Sequence, residues 1–481
     1  MSTPNSDLTQ DPTSTTPAPP PAAPHAMQVL ALGSLGVFVV FLDTTIVNVA
    51  FATMSRSFDT TASHLSWVLN AYSLAFAATL IPAGRLADRY GRKRLFLIGL
   101  TGFALVSALC GLAPTADVLI AARVLQAAFA ALIVPTSLAL ILPEFPPSKH
   151  SMAVGAWGAM GGAAAAMGPT LGALLTEYAS WRWVFLVNVP ICAAMIAIGN
   201  RLLRESRVSQ GTGVPDVPSA VLVAAIPAAL SYGIIEGPQK GWDSASVMGA
   251  FATAAVLIPP LLWRSRTAPT PVIDLTLFRV RQFSLVNASI FSFAVAFYGL
   301  LLGNIIFLQS VWGYSVLHAA LASAPGPILV ALVGREAGKL AQRIGYRRVL
   351  IAGGIAWAAA VSLFATQVTE SPHWAEDWLP ATLIMGLGIG LTLPVQSGAA
   401  VQPLPPHQYG LGSAISQSFR QLGAVLGISV FVAVIGNDPK GKLSPYQHLW
   451  WIFAALGMFS SLLPLIPSRR RTSTQNQEES E

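Results

Sequence analysis

The chain has 481 residues, 53% of them hydrophobic and 10% charged, with a mean hydropathy of +0.60 and a formal net charge of +7. A soluble chain carries about 25% charged residues, so a water-soluble enzyme or binding module is excluded and the apolar surface requires lipid. The basic residues lie between apolar runs, which points to membrane topology and not to nucleic acid.

Residues 1–27 are rich in Pro, Ser, Thr and Ala. They lack the basic region and cleavage pattern of a signal peptide and read as a disordered cytoplasmic tail. Fourteen apolar runs follow, at 29–51, 64–83, 95–112, 118–141, 152–174, 183–200, 218–235, 245–263, 283–308, 316–334, 349–366, 378–400, 410–435 and 447–467. Each is near the ~20 residues that cross about 30 Å of hydrocarbon. They are too long and too uniformly apolar for barrel strands and are expected to be helices. A polar cytoplasmic tail, 468–481, ends the chain. Cys110 and Cys192 fall in apolar runs of different helices and indicate no disulfide framework.

The first run contains FLDTTIVNVA, residues 41–50, with an acid in an apolar setting. Burying a carboxylate costs several kcal/mol unless a partner, water or a proton offsets it. Arg123 is the matching cation in the fourth run. Asp43 lies about eight residues, and Arg123 about five, from the same expected end of their helices, so at 1.5 Å per residue their depths are comparable. Two readings stay open. The pair is a static polar seam, or Asp43 alternates between paired and protonated states as its surroundings open and close.

The segment GRLADRYGRKR, residues 84–94, is a basic loop that anchors orientation. Gly84, Asp88, Arg89, Gly91 and Arg92 are its candidate gating residues, with Asp88 placed to pair with a cation or to cap a helix. In the fifth run, Gly155, Gly158, Gly161, Gly162, Ala165, Gly168 and Gly172 recur at spacings of three and four. This stripe admits a second helix backbone closely, and Pro169 beside Gly168 favours a bend. Glu177, at the end of that run, is an accessory acid or an ordinary solvated residue. Arg420, midway along the thirteenth run in SQSFRQLG, is a candidate cavity-lining cation with Gln417 on its face. Asn48, Asn70, Tyr72, Gln126, Asn188, Asn304, Gln309 and Gln396 complete the substrate-facing candidates. His373, His407 and His448 are assigned to separate loops, and neither a metal nor a cofactor is expected.

Two patterns check the count. With the N-terminus in the cytoplasm, 21 of the 28 lysines and arginines fall in inner segments, five in outer ones and two within helices, as the positive-inside rule requires. In addition, GKLAQRIGYRR at 338–348 repeats GRLADRYGRKR with an offset of eight helices. Gly84, Leu86, Arg89 and Gly91 align with Gly338, Leu340, Arg343 and Gly345. This predicts a six-helix unit used twice, with two helices inserted, and a central site at the repeat interface. The expected division is a six-helix bundle at 28–202, a linker with two extra helices at 203–282, and a second bundle at 283–467.

These motifs resemble those of the fourteen-helix drug/proton antiporter branch of the major facilitator superfamily. LDTTIVNVA is similar to the branch's helix-one motif, GRLADRYGRKR to the loop between helices two and three, and RVLQAAFAALIVP to the helix-four motif. GAWGAMGGAAAAMGPTLGA resembles the helix-five antiporter motif, and WRWVFLVNVP and FRQLGAVLG also fit. Ala52, Ala127 and Ala173 depart from the pattern. The resemblance covers about residues 29–467. It implies an all-α polytopic fold of two six-helix bundles plus two central helices. It also implies proton-driven export of amphipathic, often cationic, small molecules across the plasma membrane, with Asp43 and Arg123 as coupling residues. The expected partners are protons, substrate and membrane lipids, for a chain that works as a monomer with both termini inside. An exporter of an endogenous lipid, siderophore or secondary metabolite is the alternative. A non-transporting membrane sensor is the alternative of another class. No metalloprotease or nucleophile motif points to an enzyme.

Overall fold

The computed structural model describes residues 25–146, 149–207, 216–269, 272, 275–404, 409–435 and 442–466. The expected tails lie outside these residues, except that Ala26 and Met27 already belong to the first helix. His407 also lies outside them.

The described residues form sixteen α-helices: α1 Ala26–Ser57, α2 Ala62–Tyr90, α3 Arg92–Gly111, α4 Ala116–Ile141, α5 His150–Tyr178, α6 Trp183–Leu186, α7 Asn188–Leu202, α8 Val217–Lys240, α9 Ala245–Thr267, α10 Arg281–Ser310, α11 Val316–Ser323, α12 Pro325–Ile344, α13 Tyr346–Gln367, α14 Leu379–Val401, α15 Tyr409–Ile435 and α16 Leu443–Leu462. Two expected crossings are split, giving α6/α7 and α11/α12. Pro325 has no N–H to continue the α11 ladder and instead opens α12. Thirteen spans among the described residues are long and apolar enough to cross a membrane. The remaining expected crossing is α5. Despite Pro169, α5 is continuous over its 29 residues. His448 lies in α16 rather than in a loop.

The segment 84–94 is not an extended loop. Helix α2 runs to Tyr90 and α3 starts at Arg92, so the corner is Gly91 alone, at φ 111°. The second copy turns the same way. Helix α12 ends at Ile344, α13 starts at Tyr346, and Gly345 has φ 90°. Only glycine adopts this backbone at little steric cost, so the aligned glycines carry the repeat from sequence into geometry.

The helix pairings repeat as well. In the first bundle α1 packs on α5, α2 on α4, and α3 on α4 and α7. In the second, α10 packs on α15, α12 on α14, and α13 on α14 and α16. The chain is therefore two similarly wired bundles. The bundles meet through α2 against α15 and through α5 against α11 and α12. The extra hairpin α8–α9 leans on α2 and α15 through α8. It is tied at one end by Arg264 Nη2 donating to Asp216 at 2.6 Å, and at the other by Ser63 Oγ donating to Glu236 at 2.9 Å.

The end opposite the two glycine corners is sealed. Val49 of α1, Ala173 of α5, Ile305 of α10, and Val316 and Ala320 of α11 form one buried apolar cluster across the bundle interface. Burial of such side chains stabilises that contact by about 25 cal/mol per Å².

Candidate functional site

Helices α1, α3, α4 and α7 bring their few polar residues to one point inside the first bundle. Asp43 is fully buried and Arg123 is 1% exposed. Arg123 Nη1 donates to Asp43 Oδ2 as a direct ion pair. The other carboxylate oxygen, Oδ1, accepts from Gln126 Nε2 at 3.0 Å and from Asn188 Nδ2 at 2.9 Å. Gln126 and Asn188 also donate to Ser107 Oγ, at 2.6 and 3.3 Å. Arg123 donates further to Gln126 Oε1 at 2.6 Å and to the Val68 carbonyl at 3.3 Å. Its guanidinium carbon lies 3.9 Å from the Tyr72 ring centroid and 5.7 Å from that of Phe185, a cation–π arrangement that shields the charge from lipid.

Both carboxylate oxygens of Asp43 thus receive donors only. Oδ1 accepts two of these hydrogen bonds and Oδ2 one. Helix α1 is held against α5 at the next turn. Thr45 Oγ1 approaches the Ala164 carbonyl at 3.4 Å. A Cβ at Gly168 would lie 2.9 Å from Thr45 Cβ, and one at Gly172 would lie 2.7 Å from Ile46 Cγ1. The close-packed part of the glycine stripe is this half. At Gly158 an added Cβ would meet nothing within 4 Å.

The remaining candidates are dispersed. Tyr72 and Asn48 line a small cavity of about 10 Å³ together with Thr44, Ser73, Arg123 and, from the second bundle, Tyr298 and Ile428. That is near the volume of one water. Asn304 accepts from Trp450 Nε1 at 2.9 Å, and Gln396 donates to Ser289 Oγ at 2.9 Å, both within the second bundle. Asn70 is fully buried on α2. Gln309 and Gln417 are partly buried, and Arg420 Nη2 donates to Ser397 Oγ at 2.9 Å. Glu177 is exposed near the end of α5 and stands apart from the ion pair.

At the opposite end of α2, Asp88 accepts from Arg92 Nε at 3.0 Å and Nη2 at 2.9 Å, and Arg92 also reaches the Ala139 carbonyl at 3.3 Å. Arg89 stacks over Tyr90 at 5.5 Å, and Gly84 passes Pro135 of α4 at 3.7 Å from its would-be Cβ. The second copy has Gln342 and Tyr346 at the places of Asp88 and Arg92, so this ion pair cannot form there.

Three participants escaped the sequence reading. Ser107 and Cys110 lie three apart on α3, inside an apolar run, and serve the site from one face. Cys110 Sγ is 3.6 Å from Gln126 Oε1. Glu205, just past α7, accepts from the backbone N–H groups of Lys93 at 3.1 Å and Arg94 at 3.2 Å. It caps the orphan donors and positive dipole end of α3. The hydroxyl of Ser107, isolated in apolar surroundings, was the available signal for α3. Glu205 gave none.

Two similarly wired helix bundles, the first enclosing a buried ion pair, define a polytopic membrane protein. The chain belongs to the Major Facilitator Superfamily, whose pattern matches residues 33–428 and 337–481. It is 36% identical over 422 residues to "Multidrug resistance protein Stp" of Mycobacterium tuberculosis, covering 87% of this chain and 78% of the relative. It is 33% identical over 437 residues to "Multidrug efflux pump LfrA" of Mycolicibacterium smegmatis, covering 88% and 84%. The fold matches the crystal structure of the nucleoside transporter NupG with a TM-score of 0.61 at 14% identity, over 92% of this chain and 99% of that one.

Proposed function

We propose that this protein is a proton-coupled antiporter that exports amphipathic small molecules by alternating access, with Asp43 as the proton-carrying group and Arg123 as its counter-charge. The carrying observation is the Asp43–Arg123 pair, at most 1% exposed and held by donors from α4 and α7. A proton arriving at Asp43 releases Arg123 and relaxes the grip of α4 and α7 on α1. Loss of the proton restores it. An elementary charge crossing the membrane brings about 2.3 kcal/mol per 100 mV, enough to bias such a switch. The α1–α5 contact at Gly168 and Pro169 carries the movement. The corner around Gly84, Asp88, Arg89, Gly91 and Arg92 holds one end of the first bundle.

The placement of basic residues supports a plasma-membrane protein with both termini in the cytoplasm, so that the sealed end faces outward. The repeated pairings support a division into bundles at 28–202 and 283–467 with an accessory hairpin at 203–282. The chain acts as a monomer in this reading. Of the polar candidates, Asn48 and Tyr72 have the best-supported substrate-facing role, because they line the cavity shared by both bundles.

The test is purified protein in vesicles under an imposed pH gradient, with substrate movement and proton flux recorded together. Asp43→Asn should abolish substrate-gated proton flux, and Arg123→Ala should uncouple or block it. Unchanged coupling in Asp43→Asn would remove the assignment.

A further inference from the structure

The membrane-embedded interior carries an excess positive charge. Asp43 and Arg123 neutralise one another, and both oxygens of Asp43 already accept hydrogen bonds. The third strong charge inside a spanning helix is Arg420, and it has no ion-pair partner among the described residues. A guanidinium offers five N–H donors and no acceptor. Here Nη2 donates to Ser397 Oγ of α14, while Nε is buried without a partner among the described residues. Three residues earlier on the same face of α15, Gln417 Nε2 is likewise buried without a partner. Two donors three residues apart on one helix are therefore both without an acceptor among the described residues, at a depth where each unpaired polar group costs energy.

Ser397 and Gly398 of α14 are exposed. Tyr298 of α10, the helix that packs against α15, lines the cavity shared with Tyr72 and Arg123. A cation bound there would face Arg420 and find no free carboxylate among the described residues of the spanning helices' interior.

We propose that Arg420, with Gln417 and Ser397, receives the oxyanion of an amphipathic substrate (a carboxylate, sulfonate or phenolate), so that the protein prefers anionic to cationic cargo. This inference rests on the reading of the central cavity as the substrate route. It reverses the cationic preference implied by resemblance. The guanidinium supplies charge-assisted hydrogen bonds, the glutamine amide adds a neutral donor, and the Ser397 hydroxyl, whose own proton goes to the Leu393 carbonyl at 3.1 Å, positions Arg420 by accepting from Nη2.

The test is equilibrium binding to the full-length protein in phosphatidylcholine nanodiscs. The probes are matched in shape: naphthalene-2-sulfonate and trimethyl-2-naphthylammonium. The wild type should bind the sulfonate at least tenfold more tightly. Arg420→Gln should erase that preference, and Arg420→Lys should keep part of it. Equal binding of the two probes by the wild type, tighter binding of the ammonium, or an unchanged sulfonate affinity in Arg420→Gln would overturn the proposal. A wild-type sulfonate affinity that falls when phosphatidylglycerol is added would also overturn it, in favour of a lipid headgroup. Binding does not require proton coupling, so failure here is distinguishable from failure of Asp43→Asn to stop proton flux.

Discussion

The contact between α5 and α1 offers a perturbation whose size follows from the geometry. In Gly168→Ala the added methyl would sit 2.9 Å from Thr45 Cβ and 3.3 Å from the Ile46 amide nitrogen, and closer still to Thr45 Oγ1. Thr45 cannot turn away freely, because its hydroxyl donates to the Phe41 and Leu42 carbonyls at 3.1 and 3.2 Å. Ordinary carbon contacts are about 3.5–4.0 Å, so the helices must part by roughly 0.5–1 Å. Overpacking of this kind costs about 1–3 kcal/mol. Felt in this conformation alone, that energy shifts the conformational equilibrium by roughly 5- to 150-fold. Gly158→Ala is the control on the same helix. Its methyl enters open space, and exchange of an interior helical glycine for alanine gains about 0.5–1 kcal/mol. Unfolding in mixed detergent micelles and transport in vesicles should separate the two variants, with Gly168→Ala losing both stability and turnover and Gly158→Ala losing neither. Equal behaviour of the two would refute the claim that α1 and α5 touch backbone to backbone beside Asp43.

Further outcomes are expected elsewhere. Asp43→Asn and Arg123→Gln should each destabilise the protein by about 3–5 kcal/mol, because each strands a buried partner; the double variant should cost less than the sum, as read by the same unfolding titration. Partial burial opposes the charge on Asp216, but hydrogen bonds from Arg264 and Ser219 outweigh it and hold the carboxyl below the usual carboxylate range. That stabilisation is present above the ordinary carboxyl pKa near ~4 and disappears as pH falls through the lower folded value. Asp216→Asn should therefore flatten the acid limb of a plot of melting temperature against pH. Glu205→Ala should cost about 1 kcal/mol as a lost helix cap. Gly91→Ala should cost more, since its Cβ meets the Glu205 carboxyl at 2.6 Å on a backbone with φ 111°. Thermal melting of the two variants should rank them in that order.

Much of this architecture was legible because lipid imposes a simple rule. A chain that must satisfy every backbone group internally advertises its helices as long apolar runs, and the stranded charges Asp43 and Arg123 stood out against them. The aligned Gly91 and Gly345 were legible as a repeat, but their backbone geometry was not. Nothing in GRLADRYGRKR says that a single residue makes the corner, since arginine, lysine and alanine are good helix formers and let α2 continue to Tyr90. The division of the eleventh and twelfth helices at Pro325 was signalled locally, whereas the continuity of α5 through Pro169 was not. Within the site, Asn188 was expected among substrate-facing residues. The structure turns it to Asp43, because α7 brings it across from 145 residues away, a contact that no local pattern encodes. Glu205 was invisible for the same reason: its partners Lys93 and Arg94 lie 112 and 111 residues away.

The central claim is that Asp43 changes its proton occupancy when its donors withdraw. Infrared difference spectroscopy on isotope-labelled protein in lipid, comparing the sealed conformation with one opened on the other side, observes that carboxyl group directly. The account predicts a protonated-carboxyl band that accompanies opening and vanishes in Asp43→Asn. A band absent from both conformations, or one present and unchanged in both, would contradict it.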